Sequence, residues 1–217
     1  MSASHAIIFA NGDLPSPAAL REFIQPEDIL IAADGGLHHL LALGLRPALL
    51  IGDLDSVTPA EVEAAAAAGA EIRRYPPAKD ETDLELALLA AQALGCARIT
   101  LAAALGGRLD QTLGNLFLLM LPELQGCDVR LYDGREEVFL IRQQAQIHGQ
   151  AGDIVSLLPL NRPASGIWTE ALRYPLRGET LHPERTRGIS NVMLGRQAEV
   201  RLESGILLCI HTHIPKE

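Results

Sequence analysis

The sequence predicts an N-terminal α/β domain built on a parallel sheet, followed by a C-terminal antiparallel β-sandwich domain. Up to about residue 133, short apolar runs alternate with helical stretches. Strands that are apolar throughout are typical of a parallel sheet covered on both faces. After that point no long helical period occurs, and short apolar runs are separated by Gly, Pro and Asn, as in a sandwich or barrel. We therefore predict domains at 1–133 and 134–217.

The elements follow from local patterns. Short apolar runs predict six strands in the first region, at 6–10, 29–33, 48–52, 71–76, 98–105 and 128–133. Apolar residues at helical spacing predict four helices between them, at 36–44, 59–69, 82–95 and 111–121. Gly44 marks a helix end, Pro59 a helix start, and Thr82 with Glu85 a capping box. Four apolar runs predict strands in the second region, at 137–142, 153–160, 198–204 and 205–213.

Composition and charge limit the classes of function. The 217 residues carry a formal net charge of −9, so the surface as a whole does not attract nucleic acid or an anionic membrane. The three cysteines lack CxxC spacing, which favours a reducing compartment over a disulfide framework. The apolar run at 6–10 is too short for a signal peptide or a membrane span. We expect a cytoplasmic protein with neither a nucleic-acid nor a membrane partner.

Polar groups follow five of the predicted strands in the first region. They are Asn11 with Asp13, Asp34-Gly35-Gly36, Gly52-Asp53-Leu54-Asp55-Ser56, Lys79-Asp80-Glu81-Thr82-Asp83 and Gly106-Gly107-Arg108-Leu109-Asp110. A single Asp in such a position is more often a turn former or a helix cap than a ligand. Because ligands bind at the carboxyl ends of parallel strands, five groups in succession predict a binding rim.

The carboxylates of this rim need a counter-charge, since close like charges repel and raise each other's pKa. Asp53 and Asp55, two residues apart, suit Mg²⁺, which takes oxygen ligands from carboxylates and substrate phosphates. Lys79 and Arg108 are suited to phosphate oxygens, and the N–H groups of the glycine pair before Arg108 add further donors. Neither a Walker A nor a GxGxxG motif occurs. The pattern predicts a metal-dependent site for a phosphorylated substrate.

A zinc site is not expected, because no set of Cys and His residues has ligand spacing. The His211-Thr212-His213 segment is interpreted instead as strand alternation.

Four motifs, in this order and spacing, resemble the thiamine pyrophosphokinase (thiamine diphosphokinase) family. They are "IAADGG" (31–36), "IGDLDS" (51–56), "KDETDLELAL" (79–88) and "GGRLDQTLGN" (106–115). Downstream, "LRYPLRGETL" (172–181) and "RGISN" (187–191) resemble the family's thiamine-binding strands. The resemblance implies an ATP-binding catalytic α/β domain and a thiamine-binding β-sandwich, assembled as a homodimer. It also implies transfer of a pyrophosphoryl group from ATP to the hydroxyethyl oxygen of thiamine, giving thiamine diphosphate and AMP.

The resemblance implies roles for individual residues. Asp53, Asp55 and Asp80 resemble the magnesium-binding carboxylates. The implied nucleotide and phosphate shell comprises Asp34, Gly35, Lys79, Asp83, Gly107, Arg108, Asp110 and Gln111. The implied catalytic residues are Asp55, Lys79, Asp80 and Arg108, with Asp80 or Asp55 as the candidate proton acceptor. Tyr174, Ser190 and Asn191 resemble thiamine-binding positions, expected to reach the partner subunit's catalytic rim.

Two positions depart from the family pattern, and two other functions stay open. Gln111 stands where the family often has His, so only hydrogen bonding is expected there. Tyr174 stands where the family often has Trp and can still stack on a heteroaromatic ring. A metal-dependent glycosyltransferase would share the argument from Asp53 and Asp55 but would not account for Lys79, Arg108 and the β-rich region. A nucleotide or thiamine sensor would bind ATP without forming AMP.

Overall fold

The computed structural model describes residues 4–215, and its internal contacts divide the chain into two compact units between Gly134 and Arg135. Each unit has its own core of buried apolar side chains. The first unit is α/β and the second is a sandwich of two antiparallel sheets. The predicted fold class is therefore confirmed.

The first unit contains a parallel sheet with the strand order β6-β5-β1-β2-β3-β4. The strands are β1 (His5–Phe9), β2 (Ile29–Ala33), β3 (Leu49–Gly52), β4 (Glu71–Arg74), β5 (Arg98–Ala102) and β6 (Asp128–Tyr132). The helices are α1 (Pro17–Phe23), α2 (Gly36–Ala42), α3 (Pro59–Ala67), α4 (Asp83–Ala93) and α5 (Leu109–Leu118). All six predicted strands and four predicted helices occur, and α1 is additional. Across residues 4–215, no helix has the length and apolar character needed to cross a membrane.

Continuous burial explains why the central strands are apolar throughout. Every residue of β1 and β3 is buried, and so are four of the five residues of β2. A fully buried Ile or Phe side chain contributes about 1.5–3 kcal/mol relative to an exposed one. The edge strand β4 has no buried residue, which agrees with its more polar sequence.

Side-chain hydrogen bonds cap the N-termini of α4 and α3, the helices that follow β4 and β3. Thr82 precedes α4, and its hydroxyl accepts a hydrogen bond from Glu85 N at 3.2 Å, which is one of the two hydrogen bonds of the predicted capping box. Both halves of a capping box form at α3, where Thr58 Oγ1 accepts from Glu61 N and Glu61 Oε2 accepts from Thr58 N. A cap of this kind contributes about 1 kcal/mol.

The second unit consists of two antiparallel sheets with the orders β12-β9-β14-β7 and β11-β10-β13-β8. Its strands are β7 (Glu136–Ile141), β8 (Gln144–His148), β9 (Ile154–Pro159), β10 (Ala164–Glu170), β11 (Arg177–Leu181), β12 (Asn191–Val192), β13 (Gln197–Arg201) and β14 (Leu207–Thr212). Apolar side chains from both sheets, such as Leu157 and Val200, form one core. The apolar runs predict four of these strands. The segments at 172–181 and 187–191, which resemble the family's thiamine-binding strands, contain β11 and the first residue of β12, whereas β8 and β10 are not predicted.

Candidate active site

The loops that follow the strands of the first unit form a cleft of about 570 Å³. Three groups of polar residues line it. One comes from the loops after β1 and β2, one from the loops after β3 and β4, and one from the glycine loop before α5 and from α5 itself. They are Asn11, Asp13 and Asp34; Asp53, Asp55, Ser56, Lys79, Thr82 and Asp83; and Gly106, Gly107, Arg108, Gln111 and Asn115. The cleft thus lies at the carboxyl ends of the parallel strands.

Three carboxylates converge in this cleft, and we refer to Asp34, Asp53 and Asp83 as the acidic group. One oxygen from each residue lies within 4.8 Å of the others. Gly52 makes this approach possible, because a Cβ atom at that position would lie 2.9 Å from Asp83 Cγ. The backbone φ of Gly52 is also +146°, which other residues rarely adopt.

Lys79 supplies a positive charge to the acidic group. Its ammonium nitrogen lies 3.0 Å from Asp83 Oδ1 and 3.8 Å from Asp53 Oδ2, and its side chain is only 10% exposed. Burial lowers the pKa of Lys79, but the ion pairs with Asp83 and Asp53 raise it more, so the pKa lies above its ordinary value. The lysine is therefore charged, and one cation faces three carboxylates.

Asp83 is the least well compensated member of the acidic group. Burial raises its pKa above the ordinary value, and the opposing effect of Lys79 does not cancel this. Among the residues described, no donor makes a well-directed hydrogen bond to the buried Asp83 Oδ1, although Lys79 Nζ forms an ion pair with it. A further cation near this oxygen would lower the energy of the ionised carboxylate.

Left-handed backbone holds the neighbouring loops in place. Asp34 and Leu54 have φ values of 46° and 62°, and such conformations cost a non-glycine residue about 1–3 kcal/mol. The Leu54 side chain is buried, which anchors the loop between Asp53 and Asp55. Asp53 Oδ1 accepts a hydrogen bond from Asp55 N, and Asp34 Oδ1 accepts one from Ser56 N. Asp55 itself is exposed.

In the glycine loop before α5, the Gly107 N–H and the Arg108 side chain already donate hydrogen bonds within the protein. Gly107 N donates to Asp13 Oδ2 at 3.2 Å. Arg108 makes two hydrogen bonds to Asp110, at 3.1 and 2.6 Å, with both side chains exposed. Hydrogen bonds from Arg108 lower the pKa of Asp110. An incoming phosphate would therefore compete with Asp110 for the Arg108 guanidinium.

The cleft brings together most but not all of the predicted site residues. Its lining includes Asp34, Asp53, Asp55, Lys79, Asp83, Gly107, Arg108 and Gln111. Three predicted residues, Gly35, Asp80 and Asp110, lie outside that lining within residues 4–215. Asp80 is exposed, and the acidic group contains Asp34 and Asp83 in place of the predicted Asp55 and Asp80. The magnesium assignment stays a prediction.

One buried polar residue of the lining, Asn115 on α5, is not among the predicted site residues. Its side-chain amide donates to Ala104 O at 2.7 Å and so ties the helix to the end of β5. The only signal for it was its place as the last residue of the "GGRLDQTLGN" motif.

The predicted substrate residues of the second unit adjoin one another. Asn191 is buried, and its amide accepts from Tyr174 N at 2.9 Å and donates to Tyr174 O at 2.7 Å. The Tyr174 ring is 58% exposed. Ser190 has a left-handed φ of 60°, and its N–H donates to Ser156 Oγ. Asn191 therefore holds the backbone of Tyr174, and the aromatic ring is left open to a ligand.

Comparisons with known proteins agree with the division of the chain. Residues 20–131 match the family described as "Thiamin pyrophosphokinase, catalytic domain", and residues 140–207 match "Thiamin pyrophosphokinase, vitamin B1 binding domain". A relative from Bacillus subtilis (strain 168), a thiamine pyrophosphokinase, is 27% identical over 195 residues, which cover 89% of this chain and 91% of the relative.

Solved structures of similar proteins have the same fold. The crystal structure of thiamine pyrophosphokinase from Bacillus subtilis superposes with a TM-score of 0.87 at 26% identity, covering 98% of this chain and 100% of that one. The thiamin pyrophosphokinase structure from Candida albicans superposes with a TM-score of 0.81, covering 97% and 89% of the two chains. Its identity is 18%, so this second likeness concerns the fold alone.

Proposed function

The chain belongs to the thiamine pyrophosphokinase family, whose members transfer a pyrophosphoryl group from ATP to thiamine, and we propose how its residues carry out that transfer. The reaction gives thiamine diphosphate and AMP. The observation that carries the proposal is the cleft of the first unit, where three carboxylates and one buried lysine converge at the ends of parallel strands. The acidic group, Lys79 and the glycine loop before α5 lie within residues 20–131, which match the catalytic domain.

The residues of the acidic group fit a magnesium ion. They offer only carboxylate oxygens, which are the ligands that Mg²⁺ prefers, and the buried Asp83 Oδ1 lacks a directed hydrogen bond among the residues described. Asp34, Asp53 and Asp83 would hold the ion, with Asp55 at the exposed edge. When bound, Mg²⁺ neutralises charge on the transferred phosphates.

Lys79, Arg108 and Gln111 are the proposed partners of ATP. Lys79 is fixed by two ion pairs, so its charge is already positioned before the substrate arrives. Arg108 and Gln111 lie in the cleft lining, where the guanidinium can form paired hydrogen bonds with a phosphate after it leaves Asp110. Positioning and charge neutralisation supply most of the catalysis in phosphoryl transfer.

Two carboxylates are candidates for accepting the proton of the thiamine hydroxyl. Asp55 and Asp80 are both exposed, and neither is held by Lys79 in the ion pairs of the acidic group. Asp55 lines the cleft and Asp80 does not, so we favour Asp55. Its carboxylate accepts a hydrogen bond from Ser56 Oγ at 3.1 Å, which orients it.

We propose that Tyr174 stacks on thiamine and that Asn191 positions Tyr174. The support is the exposed ring and the pair of hydrogen bonds between the Asn191 amide and the Tyr174 backbone. Ser190, next to Asn191 in the match to the vitamin B1 binding domain, is the proposed polar contact.

A homodimer in the cytoplasm is the proposed state of the protein. On α5, Leu109, Leu113 and Phe117 are spaced four residues apart and expose 72%, 45% and 54% of their surfaces. An apolar stripe of this kind is typical of a protein interface. No disulfide joins the cysteines within residues 4–215, in keeping with a reducing compartment.

The test is AMP formation by the purified protein with ATP, Mg²⁺ and thiamine. We expect AMP and thiamine diphosphate in equal amounts, and no AMP when thiamine is omitted. Asp53→Asn should abolish the reaction, while Glu63→Gln, an exposed acid on α3, serves as the matched control. Tight ATP binding without AMP would indicate a sensor. Sugar transfer from a sugar nucleotide would indicate a glycosyltransferase.

A further inference from the structure

A second group of metal-binding residue types lies in the second unit, at the end of β14. His211 and His213 are two residues apart, so their side chains leave the strand on the same face. Their ring centroids are 4.2 Å apart. Glu137 on the neighbouring strand β7 faces them, and one ligand atom from each of these three residues lies within 4.8 Å of the others.

Asp153 fixes the orientation and tautomer of His211. This carboxylate is completely buried and accepts hydrogen bonds from Ile214 N at 3.0 Å and Gln150 N at 2.9 Å. His211 Nε2 lies 3.1 Å from Asp153 Oδ2, which also accepts from Gln150 N. Because a carboxylate oxygen accepts hydrogen bonds, this geometry assigns the donor role to Nε2.

His211 Nδ1 is therefore left with a lone pair directed into the group. The side chain is 0% exposed, and within residues 4–215 no donor or acceptor makes a hydrogen bond to Nδ1. Glu137 Oε2 lies 3.8 Å away, beyond hydrogen-bond distance. A buried polar atom without a partner is costly, and a metal ion is one way to satisfy it.

We propose that His211, His213 and Glu137 bind a divalent transition-metal ion, for which Zn²⁺ is the best match. A carboxylate that holds the far nitrogen of a metal-binding histidine, as Asp153 holds His211, is a common feature of zinc sites. Tetrahedral ligands at zinc are about 3.4 Å apart. The three ligand atoms therefore need to approach one another from separations of at most 4.8 Å. The His213 and Glu137 side chains are 37% and 23% exposed, which leaves them room to move.

Gly149 lies close against the His211 ring, so the surroundings of the proposed ligand are tightly packed. A Cβ atom at position 149 would lie 2.8 Å from both Cε1 and Nε2 of His211. Any larger residue would push the imidazole away from Asp153. The backbone thus leaves the space that the Asp153–His211 pair occupies.

This site differs in chemistry from the acidic group of the first unit. The acidic group offers only oxygen atoms, whereas the site on β14 offers two imidazoles and one carboxylate, a set that favours Zn²⁺ or Co²⁺ over Mg²⁺. A bound ion would join β14 to β7 at the point where their pairing ends, at Thr212 and Glu136. We infer a structural role, which stabilises the second unit.

The experiment is a titration of the metal-free full-length protein with Co²⁺, followed by visible absorption. We expect one equivalent of Co²⁺ to give the intense absorption bands of a tetrahedral site. These bands should persist in excess Mg²⁺ and disappear when Zn²⁺ displaces the Co²⁺. Zn²⁺ should also raise the midpoint of thermal unfolding. Absence of the Co²⁺ bands would overturn the proposal, and so would octahedral spectra alone.

Variants separate this site from the acidic group. His213→Ala and Glu137→Gln should weaken Co²⁺ binding at least tenfold, and both positions are partly exposed, so the variants should fold. His182→Ala, an exposed histidine of the same unit, and Asp53→Asn should leave the bands unchanged. Loss of the bands in Asp53→Asn but not in His213→Ala would refute the assignment. Because the readout is binding, failure of the proposed pyrophosphoryl transfer would not affect it.

Discussion

Replacing Lys79 by Met tests whether this lysine compensates the acidic group. Methionine keeps the unbranched stem and removes the charge. With an effective dielectric constant of about 20, the attractions at 3.0 and 3.8 Å amount to about 5 and 4 kcal/mol before desolvation. Removing one partner of a buried ion pair costs about 3–5 kcal/mol. Because Asp53 and Asp83 are 14% and 23% exposed, we expect a smaller cost than for a fully buried pair, about 2–3 kcal/mol.

The assay is thermal unfolding with and without Mg²⁺. A loss of about 2–3 kcal/mol corresponds to a decrease of about 4–12 °C in the unfolding midpoint for a chain of this size. Without Lys79 the acidic group has three uncompensated charges, so Mg²⁺ should raise the midpoint of Lys79→Met more than that of the wild type. Adding Asp83→Asn should offset part of the loss, because the buried carboxylate that lacks its partner is then removed.

Arg74→Met provides the control, since it removes one positive charge from an exposed residue at the end of β4. This variant should unfold within about 1 °C of the wild type. If Lys79→Met unfolds at the same temperature as Arg74→Met and responds equally to Mg²⁺, Lys79 does not compensate the acidic group and the reasoning is wrong.

Three further predictions concern separate parts of the chain. Asp55→Asn should abolish AMP formation while the melting curve stays normal, because Asp55 is exposed; full activity would exclude its role. Asn191→Ala should raise the KM for thiamine more than that for ATP and cost about 2–3 kcal/mol, because two Tyr174 backbone groups lose their partner. Tyr174→Ala should raise the thiamine KM without that loss, and equal changes in both KM values would argue against the assignment. Burial lowers the pKa of His5 below 6.5, although Asp28 opposes this. The unfolded chain therefore takes up a proton first as the pH falls. Stability should be greatest above pH 6.5 and decline below it, with a slope of at most about 1.4 kcal/mol per pH unit. Denaturant titrations of His5→Gln should lack this part of the decline, and an unchanged slope would contradict the account.

The elements that the sequence predicts are those with a strong local pattern. The strands β1 and β3 are apolar because both faces are buried. Helix α1 was missed because it has seven residues, of which only Leu20 is buried, so its pattern is too short to recognise. Strand β10 was missed because Gly166 interrupts it and its register against β11 shifts. The alternation of apolar and polar residues that would identify β10 as a strand is therefore interrupted within the strand itself.

The candidate site was predicted at the level of loops but not of individual carboxylates. The motifs identify the loops after β3 and β4, yet the members of the acidic group depend on backbone angles that spacing does not reveal. Leu54, with a left-handed φ and a buried side chain, separates Asp53, which belongs to the acidic group, from Asp55, which is exposed at the edge of the cleft. Asp83 belongs to the group because Gly52 leaves room for it. The conformation of Leu54 and the space beside Gly52 both depend on the tertiary structure, so residue spacing alone does not reveal them.

Two carboxylates, the partly buried Asp83 and the buried Asp153, differ in how the chain compensates their charge. Asp153 accepts two backbone N–H groups and a histidine, and its pKa falls below the ordinary value. Asp83 has an ion pair with Lys79 but no directed hydrogen bond among the residues described, and burial keeps its pKa above the ordinary value. A satisfied carboxylate gains little by binding a cation directly, so Asp153 acts by directing the lone pair of His211. A carboxylate without such hydrogen bonds gains much more from a bound cation. We therefore expect Asp83 to contribute more than the other carboxylates to the binding of Mg²⁺.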